Sequence, residues 1–317
     1  MIRVGFFVVA VAVLTAFGAA ADEPTYAERL GWGPEDRVAI IHSDDIGMSL
    51  ATNLATIETL EAGTVTSVSV MMPTPWVTHW RDTYVEDNPD VDMGLHLTLT
   101  SEWGPYRWRP VANPDEVPGL IDEEGYMWPG VSDVVENATP DEVETEIRAQ
   151  IDLARRMGLP ITHLDSHMGT LFEPEFVERY VQVGIDEGIP MLMASPAEAE
   201  RRGLEWIDEA RAIADMVWDA GLPVIDAIHT DSYDWKTTDK VDLYVETIRN
   251  LEPGITEIIV HPTKPDPVID VVTGGRDHLY GDYFALISDE VKQAIEEEGV
   301  ILTTWKELHE RRQALDD

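Results

Sequence analysis

The 317-residue chain carries 61 acidic against 22 basic residues, a formal net charge of −39, and no cysteine. Acidity this strong repels nucleic acid and anionic membrane surfaces, so neither is expected as a partner; without cysteine there are no disulfides and no thiolate chemistry. The acids are spread along the chain instead of gathered in a tail, which points to a solvated acidic surface and not a disordered segment.

Arg3, the apolar run 4–17 and then Ala19, Ala20 and Ala21 read as a secretory signal peptide over residues 1–21. A membrane anchor is the alternative, but the run is shorter than the roughly 20 residues that span a bilayer. No later stretch is apolar enough to cross one. The mature chain, 22–317, is therefore expected to be exported, periplasmic or extracellular, with no membrane span.

From there β-type runs alternate with helical ones. Residues 38–42 are apolar and end in a polar turn at Ser43-Asp44-Asp45. Residues 51–61 look helical, with Gly63 placed as a C-cap. The stretches 65–72 and 91–100 are strand candidates. Residues 101–137, rich in Pro, Gly and Trp, break the rhythm and read as an elaborated loop. Thr139-Pro140 opens a helix over 141–157. Strand candidates at 161–164, 191–194, 224–228, 257–260 and 300–303 then alternate with helices at 176–187, 204–220, 239–250 and 285–298, before a charged helix closes the chain. Repeated strand–helix units imply a parallel sheet with crossover helices. Seven or eight of them favour an α/β fold of one domain, a closed or nearly closed (β/α) barrel.

In such barrels the active site forms at the C-terminal ends of the strands. Four strand ends here bear unusual residues: Asp44 and Asp45; His96; His163, Asp165 and His167; and His261. Singly, an Asp-Asp before Gly is often a capped turn, and a lone His at a strand end is often structural. Jointly, in a chain with nine His, they point to one shared site. Two imidazoles and a carboxylate form a usual divalent-metal triad with positions left open. Asp45, His96 and His167 are the expected ligands of one ion, Mg2+ or Zn2+, with His163 as the replacement to consider. Asp44 is then placed as general base and His261 as acid toward a leaving amine, an arrangement suited to metal-assisted amide hydrolysis. Trp103, Tyr106 and Trp108, after the His96 strand, are candidates for stacking on a sugar face; the alternative is that they pack the loop onto the barrel. His229 and Asp231 are further candidates for reaching the site.

The segments Ser43-Asp44-Asp45-Ile46-Gly47-Met48-Ser49 with Asn53, Gly63-Thr64-Val65-Thr66-Ser67, Gly94-Leu95-His96-Leu97-Thr98-Leu99-Thr100, Thr162-His163-Leu164-Asp165-Ser166-His167 and His261-Pro262 together resemble the YdjC-like carbohydrate deacetylases. That group includes chitooligosaccharide and hopanoid-linked deacetylases. The resemblance spans roughly residues 38–262. It implies a distorted (β/α) barrel of the glycoside hydrolase/deacetylase type, removal of N-acetyl groups from a carbohydrate, metal ligation by Asp45, His96 and His167, and Asp44 as catalytic acid/base, with Asn53 near the substrate. Where that family usually continues past the Asp-Ser-His with further histidines, Met168, Gly169, Thr170 and Leu171 follow here. Two other readings are a glycoside hydrolase pairing Asp44 with an acid such as Asp165, and a non-catalytic, metal-containing carbohydrate-binding protein.

Overall fold

A computed structural model describes residues 23–203 and 206–316; the expected signal peptide at 1–21 lies outside the described residues. Its centre is β1, Arg37–Ile46, which is buried from Val38 onward. Burial on both faces is what a strand in a parallel sheet covered by helices requires, and the Val-Ala-Ile-Ile run supplies the apolar side chains for it. β2 (Ser67–Val70), β3 (Met93–Leu97), β4 (Leu164–Ser166), β5 (Ala227–His229), β6 (Gly254–Val260) and β7 (Ile301–Leu302) complete a seven-stranded sheet in the order β4-β3-β2-β1-β6-β5, with β7 paired to β1. Every strand pairing is parallel. β7 pairs the start of β1 at Val38 and Ala39, whereas β2 joins β1 only from His42 onward. β7 thus fills the gap that opens between β1 and β2 at their N-terminal ends.

The seven strands form a parallel sheet surrounded by helices, and several of the expected elements fall differently within it. The stretch 191–194 forms no ladder. It is pinched between Pro190 and Ser195, which caps the helix Pro196–Arg201. It makes single bridges only, Leu164 to Met191 and Ala194 to Ile225. The fourth strand runs later than 161–164, so that Asp165 and Ser166 lie within it. The helix expected at 285–298 is two helices, Arg276–Leu286 and Asp289–Glu297; Ser288 caps the second by accepting the N–H of Val291. The helix expected at 204–220 runs Ile207–Asp219.

Other local expectations hold. The helix Leu50–Ala62 stops at Gly63 with φ +76°, a left-handed conformation suited to a residue without Cβ. The helix Pro140–Met157 opens on a Thr139–Glu142 capping box and buries Val143, Ile147, Ile151 and Ala154 along one stripe. The same helix latches the long loop. The Glu146 carboxylate accepts the N–H groups of Val111 and Ala112 at 2.9 and 2.8 Å, and Glu142 accepts that of Gly119 at 2.7 Å. Residues 101–137 are therefore ordered, and contain a helix at Val131–Asn137. Among the described residues, no helix is long and apolar enough to cross a membrane.

Register places the chemistry. His96 on β3 sits opposite Asp165 on β4, and Ser43 on β1 opposite Val260, next to His261. The polar ends of β1, β3, β4 and β6 thus converge at the C-terminal edge of the sheet, where parallel α/β folds carry their sites.

Candidate active site

The site begins with a break in β1. Pairing with β2 shifts register between Ser43 and Ile46, and Asp45 has φ +67°, Gly47 φ +91°. A left-handed Asp costs roughly 1–2 kcal/mol, which the surroundings must offset. Asn53 does so in part: its Oδ1 accepts the Gly47 N–H at 2.8 Å and its Nδ2 donates to the Trp76 carbonyl at 3.0 Å. Asn53 is wholly buried in this role. The twist sends the two adjacent acids in different directions.

Asp45 Oδ1 lies 3.4 Å from His96 Nε2 and 3.2 Å from His167 Nδ1. It is buried, yet accepts no hydrogen bond. A buried carboxylate oxygen left without a donor between two imidazole nitrogens fits a cation, since such oxygens are otherwise satisfied. The opposite ring nitrogens are already held: His96 Nδ1 by Asp165 Oδ1 at 2.7 Å, His167 Nε2 by Glu102 at 3.1 Å. A carboxylate behind each imidazole is the usual support of a metal-binding histidine, fixing tautomer and ring orientation. Among the described residues, three other clusters of potential ligands are less suited. In Asp44–His96–Asp165 and His42–His163–Asp165, imidazole nitrogens are bonded to the carboxylates themselves, and in His261–His278–Asp282 the Lys240 ammonium is inserted.

Electrostatics agree with geometry. Burial alone would raise the Asp45 carboxyl, but His167 and His96 hold it well below the usual carboxylate range. Burial would lower both imidazoles, but Asp44 and Asp165 push His96 well up, and Glu102 with Asp45 push His167 up to about 9. Carboxylates that hold imidazoles protonated favour a cation in the protons' place.

Asp44 turns the other way. Its Oδ1 lies 3.1 Å from His42 Nε2 and accepts the Ser69 hydroxyl at 3.2 Å, while its Oδ2 faces His261 Nε2 at 3.5 Å. The His261 backbone N–H donates to Asp282 at 2.9 Å, and Nε2 meets the Tyr233 hydroxyl at 2.8 Å. Tyr233 itself is 51% exposed and stacks on His278. Asp44 and His261 therefore face each other beside the triad, under an aromatic ring at the surface.

His163, the alternative ligand, points away. Its ring stacks on Trp305 beneath Gly94, where any Cβ would fall 2.5 Å from its Nε2, and burial pulls it down to about 4. Trp108 is buried, donates to the Thr100 carbonyl and packs with Met48, Met71 and Met127. It is a packing residue whose ring centroid lies 6.4 Å from that of His167, so the loop-packing alternative describes it better than sugar stacking. Trp103 and Tyr106 border the same cluster, and Tyr106 donates to the Met48 carbonyl. His229 and Asp231 line a separate cleft of about 620 Å³ with Arg201, Trp235 and Glu246; none of the triad lines it. Asp165 is committed to His96 and His42 and is not free to act as the second acid of a glycosidase pair. Met168 and Gly169, after His167, both have positive φ and turn the chain sharply outward, leaving Met168 exposed.

Residues 38–297 match the YdjC-like protein family. A carbohydrate deacetylase of Thermus thermophilus is 30% identical over 285 residues, covering 89% of this chain and 97% of that protein. A carbohydrate deacetylase of Thermoanaerobacter pseudethanolicus is 25% identical, covering 85% and 98%. Among solved structures, one described as a cellobiose-phosphate cleavage protein of Enterococcus faecalis superposes with a TM-score of 0.71 at 25% identity, covering 86% of this chain and 99% of that one.

Proposed function

The chain belongs to the YdjC-like protein family, and from that premise we propose that it is a carbohydrate N-deacetylase: water cleaves the C–N bond of an N-acetylated amino sugar, releasing acetate and leaving a free amine. The observation that carries this reading is the unpartnered Asp45 Oδ1 between His96 and His167, with the Asp44–His261 pair beside it. Asp45, His96 and His167 would hold one divalent ion, Mg2+ or Zn2+. Such an ion supplies charge that polarises an amide carbonyl and acidifies a water molecule.

The chain's own groups do the rest. Asp44 Oδ2, turned to His261, accepts a proton from the attacking water. His261 Nε2 delivers a proton to the departing nitrogen, which takes the place of the Tyr233 hydroxyl at that atom. Asp165 and Glu102 hold the two imidazoles in orientation. We also read residues 22–317 as one domain built on a distorted barrel, supported by a large buried cluster that runs from Tyr26 to Leu308, and residues 1–21 as an export signal, which N-terminal sequencing of the mature protein checks.

The test is acetate release from a panel of N-acetylated oligosaccharides, with metal analysis before and after chelation. Release that stops on chelation and returns with added metal is expected; release indifferent to chelation contradicts the reading.

A further inference from the structure

Beneath the triad lies a second layer of polar side chains, each fully buried or nearly so: His42, Ser67, Ser69, Asp165 and Glu257. His42 stands at its centre. Its Nε2 is 2.9 Å from Asp165 Oδ2, 3.1 Å from Asp44 Oδ1 and 3.1 Å from Ser69 Oγ, and its Nδ1 is 3.0 Å from Ser67 Oγ. Ionised carboxylates only accept, so Nε2 must carry a hydrogen. That one N–H stands between two acids whose like charges would otherwise repel. The consequence for Asp44 is directional. Its Oδ1 is gripped from below by His42 and Ser69, which leaves Oδ2 as the oxygen turned to His261.

We propose that His42 is a positioning residue for the reaction: its shared Nε2–H locks Asp44 with Oδ2 presented to the attacking water, and joins Asp44 to Asp165, the carboxylate that orients His96. This rests on the reading of Asp44 as proton acceptor. His42 lies in the layer beneath the triad, so its effect on the rate passes through Asp44.

Two variants test it in the full-length mature protein. His42→Met keeps the length of the side chain without a donor; His42→Gln returns an N–H near the position of Nε2. Each is made alone and with Asp44→Asn, and kcat, KM, metal content and thermal stability are measured on an N-acetylated oligosaccharide that the unmodified enzyme turns over. His42→Met is expected to lower kcat by about 10²-fold, the scale of an acid–base contribution, with KM within about twofold and metal retained. His42→Gln should recover at least about tenfold of that loss, and in the Asp44→Asn background His42→Met should cost less than about twofold more, because coupled residues are not additive. A kcat within about threefold of the unmodified enzyme, loss of metal in proportion to activity, or a full additional loss in the Asp44→Asn background each overturns the proposal. If His42→Met does not fold, Ser69→Ala takes its place: it removes the other donor to Asp44 Oδ1 and must lower kcat only when Asp44 is present. Full activity in Asp44→Asn alone overturns the assignment of Asp44, and this proposal with it; an inactive Asp44→Asn with additive losses overturns the role of His42 alone.

Discussion

Replacing Asp165 by Asn tests whether the triad is supported as a metal site should be. Asp165 gives one oxygen to His96 Nδ1 at 2.7 Å and the other to His42 Nε2 at 2.9 Å, and is 3% exposed. Asn can keep an oxygen against His96 but loses the charge, and its amide N–H₂ then meets the N–H of His42. Loss of a carboxylate behind a metal-binding histidine lowers metal affinity about 10- to 100-fold, or about 1.4–2.7 kcal/mol. With charge, burial and both hydrogen bonds affected, Asp165→Asn belongs near the upper end. Glu102 makes the equivalent contact to His167, but its side chain is 20% exposed and water screens it, so Glu102→Gln belongs near the lower end. Competition titration of Zn2+ against a chromophoric chelator measures both. The reasoning is refuted if Asp165→Asn binds within about twofold of the unmodified protein, or if Glu102→Gln costs more than Asp165→Asn.

Glu146 should make stability fall with rising pH. Burial lifts its carboxyl from 4.5 to about 7, against the hydrogen bonds from Ala112, Val111 and Gln150. The folded state therefore binds the proton more tightly than the unfolded one, so the contribution is whole below about pH 4.5 and is lost as pH rises through about 7. The shift corresponds to about 3 kcal/mol. Glu146→Gln, which cannot ionise, should gain on the unmodified protein in urea unfolding between pH 5 and pH 8; a pH-independent difference speaks against this. Gly47→Ala should destabilise by at least about 2 kcal/mol, because its φ is +91° and an added Cβ falls 2.6 Å from Val77 Cγ2 and 2.9 Å from Thr74 Oγ1; an unchanged urea midpoint contradicts the tightness of that turn.

The triad was legible because its three residues close three different strands, and parallel strands bring their C-terminal ends together. Asp44 and Asp45 were separable for the same reason: adjacent residues at a strand end project apart. What sequence missed lies in residues whose value depends on a partner far along the chain. Glu102 is one acid in an acidic protein, and only the path of the loop brings it to His167. Tyr233 sits on a 3₁₀ turn, Asp231–Asp234, with no periodic signal. His42 lies inside an apolar strand, and only the pairing of β1 with β2 and the position of β4 show that it joins two acids. The sequence leaves Trp108 open between sugar stacking and loop packing and gives no sign that the side chain of Asn53 holds the Gly47 turn; both contacts depend on how distant segments pack. The stretch 191–194 has strand composition, but Pro190 and the cap at Ser195 leave it room for single bridges only.

The division of labour between Asp44 and Asp45 carries the whole account, and one comparison tests it: metal content and acetate release, at saturating metal, of Asp44→Asn against Asp45→Asn. Asp44→Asn should hold a full equivalent of metal yet release acetate about 10²–10⁴-fold more slowly. Asp45→Asn should lose the metal first and activity with it. An Asp44→Asn protein that lacks metal and is rescued by adding it, beside an Asp45→Asn protein that keeps its metal, would contradict the account.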